Sequence, residues 1–157
     1  MERGLGGDLE PDLERAAPAR VDSADAAGLP ILPGLVRYEE VAAGHIDHAI
    51  RFTVSRSRRA FVYPARHFAS SRTSKALPPM GLRLRLRSNY PVAKFPYQAR
   101  VVLKALKRYG MIVADNGTSW YLTGAPDPGW DNDRLHTLGK VQGSDFRVVD
   151  TRGLKNG

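Results

Sequence analysis

Cysteine is absent from this chain of 157 residues. Disulfides, thiolate metal sites and a cysteine nucleophile are therefore excluded. No apolar run approaches the roughly 18 residues that a membrane span requires. The stretch Met1 to Arg20 lacks the apolar centre of a secretory signal and holds five acids, so the chain as written is expected in the cytoplasm. Neither a glycine-rich phosphate loop nor a Gly-x-Ser-x-Gly elbow occurs, and no internal repeat is found. The most telling absence is of one charge sign. Between Asp47 and Asp115 there is no acid, against fifteen Lys and Arg in a chain of net charge +8. The flanks together are acidic, and the middle generates a field that attracts polyanions.

What is present fits one domain, with 42% hydrophobic residues and 11 Pro and 15 Gly that favour short elements and many turns. Residues 1–22 combine Gly, Pro and acids with few apolar residues, and read as a disordered leader. Residues 23–154 form the expected domain, and 155–157 a tail. Ile46 to Val54 alternates as a strand with Ile46, His48, Ile50, Phe52 and Val54 on one face. Phe61 to Tyr63 reads as a second strand, Leu82 to Arg87 as a third, and Phe146 to Val149 as a last one. Val36 to Ala43 suggests one or two helical turns closed by Gly44. Pro96 to Tyr109 reads as a helix with an apolar stripe of Ala99, Val102, Leu103, Leu106 and Tyr109, basic residues in its last turn and Gly110 as its cap. Met111 to Ala114 and Ser119 to Leu122 flank Asp115-Asn116-Gly117 and are expected to pair as a hairpin. Asp131 or Asn132 suits a helix cap. The stretch from Ala65 to Pro79 is a loop long enough to suggest function or mobility. The order of elements gives a mainly β fold with one covering helix, an α+β class built as an antiparallel sandwich.

Several segments, in order and spacing, carry a resemblance. They are Ala24-Asp25-Ala26-Ala27-Gly28-Leu29-Pro30-Ile31, Gly44-His45-Ile46-Asp47-His48-Ala49-Ile50-Arg51, Pro78-Pro79-Met80-Gly81 and Tyr109-Gly110-Met111-Ile112-Val113-Ala114-Asp115-Asn116-Gly117. Together they resemble the C-terminal portion of a bacterial family of uncharacterised, mostly exported β-sandwich proteins. The resemblance spans about Ser23 to Leu154. It implies a jelly-roll-like β-sandwich, incomplete at the N-terminus, that binds or acts on carbohydrate, and an extracellular location for the intact family. It also implies missing strands, hence exposure of Leu82, Leu84 and Leu86 and self-association through that surface. His45 and the acid-free stretch depart from the family pattern.

The candidate residues each have a plain structural reading beside the functional one. Glu40 and Asp115 are candidate catalytic carboxylates, because glycoside hydrolysis needs two roughly 5–10 Å apart. Asp115 also suits ordinary turn chemistry. His48 and Arg51 are candidate binding residues that point to opposite faces of their strand. His67 joins them through its position in the long loop. Trp120, Tyr121 and Trp130 have the rings to stack on a sugar, or to fill core and rim. Asp127, Asp131 and Asp133 lack the full calcium-loop pattern; no metal and no cofactor is expected. The row Arg83, Arg85, Arg87 suggests a nucleic-acid-facing strand or the solvated outer face of an edge strand. Three functional readings remain open: a carbohydrate-related module with no catalytic signature, a polyanion binder through the basic segment 48–114, and a non-functional fragment of the family.

Overall fold

In the computed structural model, residues 24–150 are described; the expected leader and tail lie outside them. The elements are α1 (Tyr38–Ala43), β1 (Ile50–Val54), β2 (Arg83–Leu86), α2 (Tyr97–Arg108), β3 (Met111–Asn116), β4 (Tyr121–Leu122), α3 (Asn132–Leu135) and β5 (Phe146–Val148), with short 3-10 turns between. The strands make one open sheet in the order β4-β1-β3-β2-β5.

The β1–β3 pair is parallel and the other three are antiparallel. The fold is thus mixed α/β with a single sheet among the described residues, rather than two facing antiparallel sheets. The parallel pair follows from the long path between β1 and β3. That path carries β2 and α2 and returns the chain in the original direction, as parallel neighbours require. Arg83–Leu86 is an interior strand and not an edge, since β3 and β5 flank it.

The expected hairpin is also replaced. β4 pairs with β1, through Phe52 with Leu122 and Thr53 with Tyr121, and not with β3. The turn residues are captured by the end of β1: Gly117 N–H donates to Val54 O, Trp120 N–H to Thr53 O, and the Thr53 hydroxyl to Thr118 O. These bonds carry the chain around β1 to its far edge. Phe61 to Tyr63 forms only an isolated bridge from Phe61 to Met80, and the first strand starts at Ile50, which leaves His48 before it.

Ile50, Phe52, Met111, Val113, Leu84, Leu86 and Phe146 share the apolar face of the sheet and are buried. They join the buried residues of α2 in one cluster. The helix packs against β2, α1 and α3. Its flanking helices widen the buried stripe to include Val101 and Ala105 beside Leu103 and Leu106. Leu84 and Leu86 therefore belong to the core and are not the exposed row that a missing sheet would leave. Between α2 and β3, Gly110 adopts φ +80, and any side chain there would run into Leu84 O. Only glycine meets both demands at no steric cost.

Candidate functional site

The sequence candidates scatter over several places. Glu40 sits on α1 and accepts from Arg37 Nη2 at 2.9 Å and from the Arg37 backbone at 3.1 Å. His48 Nε2 lies 3.3 Å from its carboxylate, and His48 Nδ1 lies 2.9 Å from Ala49 O. Burial pushes the Glu40 carboxyl up, but the hydrogen bonds from Arg37 and then His48 outweigh it and hold the group below its ordinary value. Asp115 faces Thr53 at the other end of the parallel pair, where its Oδ1 accepts from Asn116 N. His48 lies before β1, and Ile50 to Thr53 alone covers three residue steps of that strand, about 10 Å. The two candidate carboxylates thus serve different neighbourhoods.

Arg51 reaches across to Asp25 at 3.4 Å and donates to the Thr123 hydroxyl at 3.1 Å. Asp25 has a side chain only 1% exposed. Burial raises its carboxyl above the ordinary value in spite of bonds from Leu29 N, Arg51 and Ala27 N. This trio ties the segment before α1 to the sheet. His67 is exposed and lies over Gly28, where its backbone N–H donates to Ala27 O.

The three rings do not form one platform. Trp120 packs on Phe52 and Phe146, with centroids 5.5 Å and 5.8 Å away, on the apolar face. Tyr121 stands opposite Thr53 on the other face. Trp130 donates from Nε1 to Ala125 O and meets Tyr38 edge-on at 5.3 Å. Asp131 caps α3 through Arg134 N, and Asp127 accepts from Gly129 N, so local structure occupies both. Among the described residues no three potential metal ligands gather.

The basic residues, in contrast, converge. A hollow of about 500 Å3 is bounded by Arg85, Arg87, Lys107 and Arg147, with Ser88 and Asn89 beside them and no acid in its wall. Each anchored cation is held by a main-chain oxygen. Arg85 donates from Nε and Nη2 to Lys107 O at 3.0 and 2.7 Å, Arg87 from Nε to Ser144 O at 3.2 Å, and Lys107 from Nζ to Ser88 O at 2.9 Å. Arg83 Nε in turn donates to Tyr109 O. Carbonyls at the end of α2 carry the negative pole of the helix and lack partners of their own. They orient the guanidiniums without neutralising them. Burial, and to a lesser degree the charge of Arg85, lowers the Arg83 pKa. Across the β2–β5 pair, Arg85 stands directly opposite Arg147.

Arg147 lies outside the acid-free stretch and escaped the sequence reading. Its signal was present: Phe146-Arg147-Val148 alternates like Leu84-Arg85-Leu86, and pairing the two brings the arginines onto one face. What the sequence could not show is that β5 pairs with β2. No family model, curated protein or solved structure matches the chain.

Proposed function

We propose that the protein is a binding module for a phosphate-bearing polyanion, held at the basic hollow between β2, β5 and the end of α2. The carrying observation is the directly opposed pair Arg85 and Arg147 in a wall without acids. Like charges across a strand pair repel. A multiply charged anion between them turns that repulsion into attraction. Arg85 and Arg87 are already oriented by carbonyl oxygens, so little side-chain freedom is lost on binding.

The guanidinium fork suits phosphate oxygens in pairs. The hollow has no aromatic residue to stack on a base, and its four cations are the groups that contact phosphate. The proposed recognition is therefore of the backbone and not of sequence. The carbohydrate reading has less support, because Trp120, Tyr121 and Trp130 are dispersed. A jelly-roll arrangement of the fold would need a second sheet facing this one, and the chemistry of the hollow does not depend on it.

Fluorescence anisotropy of a labelled single-stranded oligonucleotide with the full chain tests the proposal. Each phosphate contact on a single strand contributes a slope of about −0.7 to the plot of log affinity against log salt. Contacts from the four cations put the expected slope near −2.8. Affinity should then fall roughly 50-fold between 50 and 200 mM salt. Arg147→Gln should weaken binding and flatten the slope by one contact, whereas Arg134→Gln on α3 should do neither. Salt-independent binding, or equal effects of the two substitutions, would remove the hollow from consideration.

A further inference from the structure

The apolar face of the sheet opens, away from the basic residues of β2, into a second hollow of about 570 Å3 that no residue of α2 lines. Phe52, Val113 and Leu84 from three adjacent strands line it, together with the Trp120 and Phe146 rings. Leu77, Pro78 and Pro79 of the long loop also contribute to the wall. Its size lies within the range of pockets that enclose small organic ligands.

Two details are unfavourable for an idle cleft. Trp120 holds φ +66, the only left-handed residue other than glycine among the described residues. A bulky residue rarely takes that conformation, and such strain clusters at ligand clamps. The second detail is Arg58, which lines the same hollow. Its backbone N–H is fixed to Pro78 O at 3.0 Å, and its side-chain Nε is buried with no hydrogen-bond partner. A buried charged N–H without an acceptor is costly, and buried polar groups as a rule are paired. Lys75 is a second cation in the wall, and no acid lines it.

We infer that this hollow binds a small amphipathic carboxylate, a molecule with an aryl or alkyl body and one anionic head. The body lies against Phe52 and Trp120, and the head pairs with the Arg58 guanidinium, with Lys75 nearby. One negative charge suits this mostly apolar wall, whereas a multiply charged phosphate would lose too much hydration there. The site is distinct from the basic hollow and holds a different class of ligand.

The chain has two tryptophans, and only Trp120 lines the hollow. Trp130→Phe keeps an aromatic ring against Tyr38 and leaves Trp120 as the single tryptophan, excited selectively on the red side of tyrosine absorption. Decanoate, titrated into this variant of the full chain below its aggregation concentration, should change the Trp120 emission saturably. Decanol of the same chain length should bind about tenfold more weakly, the order expected for loss of a charge-assisted hydrogen bond. Arg58→Met should remove that preference while leaving decanol binding in place. Lys75→Met, at an exposed position, should reduce it by a few-fold and serves as the second variant if Arg58→Met does not melt cooperatively. Absence of a saturable response overturns the inference. So does equal binding of acid and alcohol, which would make the hollow a merely apolar cleft. Either failure leaves the polyanion reading untouched, since oligonucleotide binding is measured at other residues.

Discussion

The opposed arginines make a prediction in which the sign matters more than the size. Arg85 and Arg147 are partners in the β2–β5 register, so their Cα atoms lie about 5 Å apart. Two unit charges about 7 Å apart in water repel by about 0.6 kcal/mol, and by somewhat more near a protein surface. Arg147→Gln removes one charge and keeps a polar, uncharged amide on a shorter side chain. The variant should be stabilised by about 0.5–1 kcal/mol at low salt, relieving an unfavourable cross-strand pair. For a chain of this size that raises Tm by about 1–4 °C. The gain should shrink as salt approaches 0.15 M, where the screening length is about 8 Å. Tripolyphosphate reverses the order. At a hundredfold excess over its dissociation constant a ligand adds about 2.7 kcal/mol to the stability of the wild type, and the variant should receive less. Differential scanning calorimetry in a phosphate-free buffer, with and without tripolyphosphate, reads both signs. A variant less stable than the wild type in both conditions would refute the idea that these two charges oppose each other in the empty site.

Three further outcomes follow from the packing and the charges. Leu103→Ala and Leu106→Ala, both wholly buried on α2, should each cost about 2–5 kcal/mol in urea unfolding, while Lys104→Ala on the exposed side should stay within about 0.5 kcal/mol. Gly110→Ala should cost more than about 1 kcal/mol, because it adds a left-handed penalty to a collision with Leu84 O; a neutral result in thermal melts would show that the α2–β3 corner relaxes freely. Glu40 has a folded pKa below its ordinary 4.5. It therefore contributes stability above pH 4.5 that is lost as pH falls through the lowered value. Glu40→Gln should melt below the wild type at pH 7, and the gap should close towards pH 3; a gap that widens on acidification would contradict the sign.

Local chemistry was legible in the sequence wherever the controlling contacts were local. The apolar stripe of α2, the glycines that end α1 and α2, and the Asp131 cap all follow from residues a turn or less apart. The alternation of Leu84 and Leu86 with their arginines also gave the buried face correctly. Pairing was less legible. Asp115-Asn116-Gly117 carries a strong hairpin signal, yet bonds from Thr53 and Val54 some sixty residues earlier take the chain past β3 to the far edge of β1. His48 seemed to extend β1 because alternation does not reveal where pairing stops. For the candidate site, the basic bias was visible as composition, but its focus was not. The carbonyl anchors at Lys107, Tyr109 and Ser144 carry no side-chain signature, and the pairing that adds Arg147 is a matter of register.

Those anchors bear on how the molecule responds to acid. An arginine positioned by a carboxylate is released once that carboxylate takes up a proton. An arginine positioned by a peptide oxygen has no such release, because the oxygen does not titrate in the biological range. Arg83, Arg85 and Arg87 should therefore keep their places from neutral to distinctly acidic conditions, where the Glu40 and Asp25 pairings are altered. A phosphodiester stays ionised over the same interval. The grip on such a ligand should accordingly persist at acidities that would loosen a receptor whose cations are held by carboxylates, so long as the core keeps the sheet intact.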